Sequence, residues 1–408
     1  MFALLCGGMK LLVISAAFPP SQAGEADHAL HLCERLADRG LDVHVLTTKR
    51  DLESTHFPFQ VYSIMQGWSW RDLPRFARFL RCCAPDAVLL IYSDRDYDCH
   101  SMITLAPSIA KAILPSAPFV TQFETEYVAR KASLLMRAVF WAVARLSREK
   151  FDRVYGTLLF KSDWIITLSE RHRAILSTQN AQVEKRGLVI PPPPLLRRRV
   201  YENGNVSRKH DREILGVKAD GFLLAYFGYV YAEKGIETLL QALEILTRRK
   251  PDTRLVMIGG TDPASNGSAY LRGINSLIKQ LKIEDRVIWT GRYTSNSDEA
   301  SRYLDAADAG VFPFKYGVTL NRSSVAAAAS HGLPIVTTRG ESLERAFREQ
   351  ENVLLCAPED PNALASAIAS VIDNPVLRHR LQRGALELAE EYFCWNKALD
   401  HTVQALSS

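Results

Sequence analysis

The chain has 408 residues, too many for one ordinary hydrophobic core, so two domains of about 200 residues are expected. An apolar content of 47% with 23% charged residues excludes a disordered chain, and no apolar run approaches the roughly 18 to 20 residues of a membrane span. A net charge of +5 is too small to imply nucleic acid as a partner; it suits an acidic ligand or an anionic membrane surface.

The opening MFALLCGGMKLLVIS has no basic leader and its apolar part merges into a strand, so no signal peptide is expected and the fold should begin at Met9. Cys6, Cys33, Cys82, Cys83, Cys99, Cys356 and Cys394 are odd in number and show no C-x-x-C spacing. That argues against a disulfide framework or a zinc site and places the protein in a reducing, cytoplasmic compartment.

Lys10–Ala16 reads as a short buried strand, followed by a Pro19-Pro20 turn and a small-residue loop. An amphipathic helix over about Asp27–Arg39 follows, stopped by Gly40. Further strands are expected at Leu41–Thr47, Ala87–Tyr92, Pro118–Phe123 and Trp164–Leu168. Short apolar strands spaced by helices imply a parallel sheet covered on both faces.

Pro191–Pro194 is a stiff segment that cannot continue a helix, and it marks the domain boundary. The charge run Arg197–Arg212 reads as a solvated surface loop. The second half repeats the first, with strands expected at Leu188–Ile190, Phe222–Phe227, Arg254–Ile258, Arg286–Thr290, Ala309–Phe312 and Pro334–Thr337. Helices fall at about 235–249, 268–281, 297–306, 323–331 and 361–373. The fold class is therefore α/β, with two doubly wound, Rossmann-like domains.

Two stretches of the second half stand out, AYFGYVYAEKGIETLL and AGVFPFKYGVTLNRSSVAAAASHGLPIVTT. Each is a buried strand, a polar turn and a helix start, with Lys234 or Arg322 near the turn. Two such turns in one cleft make an anion site, because helix N-termini offer N–H groups and a positive dipole end. A diphosphate fits that description.

Eight motifs in register over residues 9–405 resemble family 4 glycosyltransferases, the retaining enzymes of GT-B fold. VISAAFPPSQAGEADHALHLCERLADRGLDVHVLTT is similar to that family's opening, and WIITLSERHRAIL to its strand leading into the second domain. FGYVYAEKGIETLLQAL resembles the donor-phosphate motif. LVMIGG, VIWTG, AADAGVFPF and HGLPIVTT follow in order. The aromatic Tyr392–Trp395 resembles the opening of the last helix, which in the family crosses back to the first domain. The resemblance implies an acceptor-side domain over 9–190, a nucleotide-sugar domain over 191–375, and C-terminal helices over 376–408 that cross back. It also implies that a hexose moves from a nucleotide-diphosphate sugar to a glycan or lipid-linked acceptor.

The chain departs from the family at residues that carry chemistry. Tyr229 follows the turn glycine Gly228 where an Arg is usual, while Lys234 stands in its expected place. The family's paired glutamates fall at Thr319 and Ala327, so both carboxylates are missing. GVTLNRSS is similar to the G-V-S-x-R-R-G-S stretch of a divergent subgroup, with Asn321, Arg322, Ser323 and Ser324 in place of the acidic pair. Lys234 and Arg322 can neutralise a leaving diphosphate, and Ser323 and Ser324 can bind it at a helix start.

In the first half, Gly24 and Glu25 resemble the family's glycine-rich loop, with His28 one turn into the following helix. The family's T-x-H histidine is replaced by Glu124, a carboxylate suited to a sugar hydroxyl or to proton abstraction from the acceptor; Glu126 is a weaker candidate. No Asp-x-Asp motif ends a donor-domain strand, so neither an essential metal nor another cofactor is expected.

Arg71, Arg75, Arg78 and Arg81 share one helical face near Phe76, Phe79 and Leu80, and a second basic, aromatic stretch spans 127–153. Such helices suit an anionic leaflet and a peripheral position on the inner face of the membrane. Two alternatives stand beside this reading: a non-catalytic GT-B protein that scaffolds or activates a partner transferase, to which the missing glutamates point, and a different GT-B enzyme such as a sugar-nucleotide epimerase.

Overall fold

The structure is a computed structural model that describes residues 8–21, 23–50, 56–125, 154–196, 204–218, 220–260, 267–291 and 298–408. Glu126 and the basic stretch 127–153 lie outside the described residues. The chain divides into two compact units, Met1–Ile190 with Asn396–Ser408, and Pro191–Trp395. The Pro375–Tyr392 helix belongs to the second unit.

The first unit is built on β1 (Lys10–Ser15), β2 (Asp42–Thr48), β3 (Gln60–Met65), β4 (Ala87–Tyr92), β5 (Phe119–Phe123), β6 (Trp164–Thr167) and β7 (Gly187–Val189). Their order is β3-β2-β1-β4-β5-β6-β7, parallel throughout. β4 and β5 are buried at every residue, as expected of strands covered by helices on both faces.

The second unit holds β8 (Phe222–Phe227), β9 (Thr253–Ile258), β10 (Val287–Gly291), β11 (Ala309–Phe312), β12 (Ile335–Thr338) and β13 (Leu354–Cys356). They form a parallel sheet in the order β10-β9-β8-β11-β12-β13. In each unit the chain winds outward one way and then reverses, between β1 and β4 and between β8 and β11. At such a reversal the loops leaving the two strands part, and a crevice opens at their carboxyl ends.

Four sequence expectations change. The strand placed in the second domain at Leu188–Ile190 is β7 of the first sheet, where it pairs with β6 in the register Ile165↔Gly187. The first helix runs Gly24–Asp38, starting three residues before the expected Asp27. Ala23 caps it in extended conformation, and Glu25 and Asp27 fall in the first turn, where acidic groups complement the helix dipole. Part of the run read as a surface loop is a helix, Gly204–Ile214. Its charges point to partners: Arg212 and Arg208 both pair with Asp308, at 2.9 and 2.7 Å, and buried Asp211 pairs with Arg302. Finally, β3 and β13 were not anticipated; β3 is mostly half-buried and β13 spans three residues, so neither gives a long apolar run.

Candidate functional site

In the second unit, the loops after β8 and β11 lie at the point of strand reversal and are laced together by backbone. Gly235 follows Lys234 with φ of 69°, and a Cβ there would sit 2.0 Å from the Pro313 carbonyl oxygen. Only glycine permits that approach. Beside it the Lys315 N–H donates to the Glu233 carbonyl at 3.1 Å. Gly228, at φ 129°, also faces the other loop, where a Cβ would make an ordinary contact with Ser324 Cβ at 3.7 Å.

This lacing sets both predicted cations on one ring. Lys234 Nζ lies 5.1 Å from the centroid of Phe314, and Arg322 Cζ lies 4.7 Å from it. Phe314 is buried, and Lys234 also lies 5.1 Å from the Tyr231 ring. The aromatic face offsets part of the repulsion between the cations. Burial, then the neighbouring Arg322 charge, lowers Lys234 from its ordinary value to about 7, against the pull of Glu233. Arg322 Nε is buried and has no hydrogen-bond partner among the described residues.

Arg322 is the N-cap of the Ser323–Ser330 helix, and its side chain makes no cap bond. Ser323 and Ser324 are the first two residues of that helix, whose leading amides have no intrahelical acceptor. The other predicted positions have local partners. Thr319 is buried and its Oγ1 donates to Asn321 Oδ1 at 2.6 Å, while the Tyr229 carbonyl accepts from the Tyr226 hydroxyl at 2.8 Å. Ala327 is fully buried in the core. One carboxylate that sequence reasoning missed does reach this loop. Buried Glu344 accepts the Leu320 N–H at 2.5 Å from 24 residues downstream, a spacing no local pattern reveals.

In the first unit, Glu124 directly follows β5 and its N–H donates to the Tyr92 carbonyl at 2.9 Å. His28 Nδ1 lies 3.1 and 3.2 Å from the two Glu124 oxygens, and Gln122 Nε2 donates to Oε1 at 2.6 Å. Both members of the pair are almost fully buried. Burial alone would raise the Glu124 carboxyl, but the His28 charge and the hydrogen bonds from His28 and Gln122 hold it below its ordinary value. Burial alone would lower His28, but Glu124 raises it. Both shifts favour the charged forms of the pair, so Glu124 is a fixed acceptor rather than a strong base. Glu25 and Gly24 open the same helix as His28, and a Cβ on Gly24 would meet nothing within 4 Å, so space lies open beside it.

Two doubly wound parallel sheets, each with polar groups at the carboxyl ends of its central strands, define the GT-B fold. HepE from Anabaena, solved with UDP and glucose, matches with a TM-score of 0.72 at 18% identity over 98% of this chain and 99% of that one. WaaG, a glycosyltransferase of lipopolysaccharide biosynthesis, matches at 0.63 and 17% identity over 96% and 99%. In sequence, residues 221–374 match the family model for Glycosyl transferases group 1. Glycogen synthase of Mycobacterium tuberculosis is 26% identical over 97% of this chain and 94% of its own length. The D-inositol 3-phosphate glycosyltransferase of Acidothermus cellulolyticus is 25% identical over 93% and 83%. The chain therefore has the GT-B fold and is similar over nearly its whole length to glycosyltransferases, with the group 1 family match confined to residues 221–374.

Proposed function

We propose that the protein is a retaining hexosyltransferase of a divergent subgroup that works without the paired glutamates, moving a hexose from a nucleotide-diphosphate sugar to a glycan or lipid-linked acceptor. The observation that carries this reading is the placement of Lys234 and Arg322 on one ring at the strand reversal of the second sheet. Two cations held there match the charge of a diphosphate leaving group, the main electrostatic demand of the reaction. They also supply the neutralisation that a metal would otherwise give, so no essential metal is needed. Ser323 and Ser324 add hydroxyls and helix-start amides, and Gly228, Tyr229, Thr319 and Asn321 frame the donor.

Glu124, His28, Glu25 and Gly24 form the acceptor side. The leaving phosphate accepts the acceptor's proton in this scheme, and Glu124 orients a hydroxyl. The names of the glycogen synthase and of the UDP and glucose complex support a hexose donor. Arg71, Arg78 and Arg81 are exposed, and Trp70 beside them is 50% exposed, which supports peripheral docking at an anionic leaflet on the cytoplasmic side. Among the described residues, no helix is long and apolar enough to cross a membrane.

Thermal stability with UDP-, GDP-, ADP- and dTDP-sugars tests the reading. One donor at 100 times its dissociation constant should stabilise by about 2.7 kcal/mol, and Lys234→Ala or Arg322→Ala should abolish the shift. A folded protein that no donor stabilises would instead favour the non-catalytic partner.

A further inference from the structure

The reaction leaves the chemical class of the acceptor open, and the Glu124 region bears on it. Four carboxylates gather at this end of the first sheet. Glu25 and Asp27 occupy the first turn of the Gly24–Asp38 helix, Asp96 lies in the loop after β4, and Glu124 ends β5. Glu25 and Glu124 both act on Asp96, and Glu25 acts on Asp27. The nearby cations offset them only in part, and Arg95 lowers Asp96 against the larger effects of burial and of Glu25 and Glu124. His28 is committed to Glu124, Arg95 is exposed, and burial lowers His172 to about 4, which keeps it neutral. The positive end of the helix is met by its own Glu25 and Asp27.

A second observation is independent of charge. His172 Nε2 has no hydrogen-bond partner among the described residues, and the residue is 1% exposed. His172 feels the Glu124 charge, and Ser93, directly after β4, already lies against the Asp96 carboxylate. Buried polar atoms left unpaired in a native fold call for a partner. A hydroxyl both donates and accepts, so a polyol can meet this nitrogen and the carboxylates together.

We propose that this end of the first sheet is an acceptor subsite for a sugar ring that carries hydroxyls or an amine and no phosphate. A phosphate here would meet the charges of Glu25 and Glu124 and the partial charges of Asp27 and Asp96, with only exposed Arg95 acting against them beside Asp96. A hydroxyl donates to Glu124, whose Oε2 is engaged only by His28 among the described residues. Asp27 and Asp96, raised by burial to about 6 and about 7, hold protons part of the time near neutrality and so can donate as well as accept.

This inference rests on the transferase reading, and the experiment separates the two. Once thermal shift has named a donor, glucosamine, glucose, glucose 6-phosphate and inositol 1-phosphate are offered at equal concentration and product is read by mass. Glucosamine and glucose should accept at least tenfold faster than either phosphate. Asp96→Asn should raise the rate with glucose 6-phosphate relative to glucose, and its melting temperature checks that it is folded. A preference for the phosphorylated acceptors, or no difference among the four, overturns the proposal. Failure of every donor to bind would sink the transferase reading instead.

Discussion

Lys234 and Arg322, 88 positions apart in the chain, rest on the same ring, Phe314, at 5.1 and 4.7 Å. The ring holds two basic side chains near each other before any anion arrives. Phe314→Leu should therefore loosen both. We expect a stability loss of about 1–3 kcal/mol from the imperfect refill of a buried site, read as a lower denaturation midpoint. Donor affinity should fall about tenfold, while Phe314→Tyr should keep most of it. Unchanged donor affinity in a folded Phe314→Leu protein would remove the ring from the site.

Donor binding should weaken with pH. Lys234 sits near 7 in the empty protein, against an ordinary 10.5. A diphosphate prefers the protonated lysine, so above pH 7 the apparent dissociation constant should rise by up to tenfold per unit; Lys234→Arg should flatten this slope. The stability of the empty protein runs the other way. Between about pH 7 and 10.5 the unfolded chain binds more protons at this lysine than the folded one, so its contribution to stability rises with pH. Titrations of donor binding and of the denaturation midpoint from pH 6 to 9.5 check both signs.

Glu124 and His28 should respond as a pair. Glu124 is lowered below its ordinary 4.5, so its contribution is present above that value and is lost as pH falls through the folded one. His28 is raised above 6.5, so its contribution is full below 6.5 and is lost as pH rises through the folded value. The pair should stabilise most between about pH 4.5 and 6.5. Glu124→Gln should remove that window and cut transfer about a hundredfold, with donor binding retained. Transfer at the wild-type rate in Glu124→Gln would show that the carboxylate is only structural.

Glu344→Gln should free the loop over 318–322. Its carboxylate accepts the buried Leu320 N–H at 2.5 Å, and a neutral amide is the weaker acceptor. We expect a loss of about 1–2 kcal/mol. Hydrogen exchange at the Leu320 amide should speed up, and donor affinity should fall with it. Unaltered exchange at that amide would contradict the role.

Transfer should survive excess EDTA, because Lys234 and Arg322 carry the charge of the leaving group in this reading. Loss of transfer on chelation, restored by one divalent ion, would contradict it.

The alternation of buried apolar runs with helix starts gave the α/β class from sequence, because strands covered on both faces must be apolar along their length. Phe222–Phe227 and Ala309–Phe312 were legible to the residue for that reason. The turns after them were legible as well, so Lys234 and Arg322 could be singled out as cations near helix starts. The Gly204–Ile214 helix was not, because its arginines look solvated until Asp308 and Asp211 are brought to them.

Tertiary structure alone decided which residues meet. Glu124 and His28 are 96 positions apart, Leu320 and Glu344 are 24 apart, and Phe314 is an ordinary aromatic until Lys234 and Arg322 close on it. A parallel sheet carries the carboxyl ends of strands distant in sequence to one edge, where their loops converge. Residue type and local order are written along the chain, whereas the partner of each charge depends on strand order and on backbone contacts such as Gly235 against Pro313, which form only on folding.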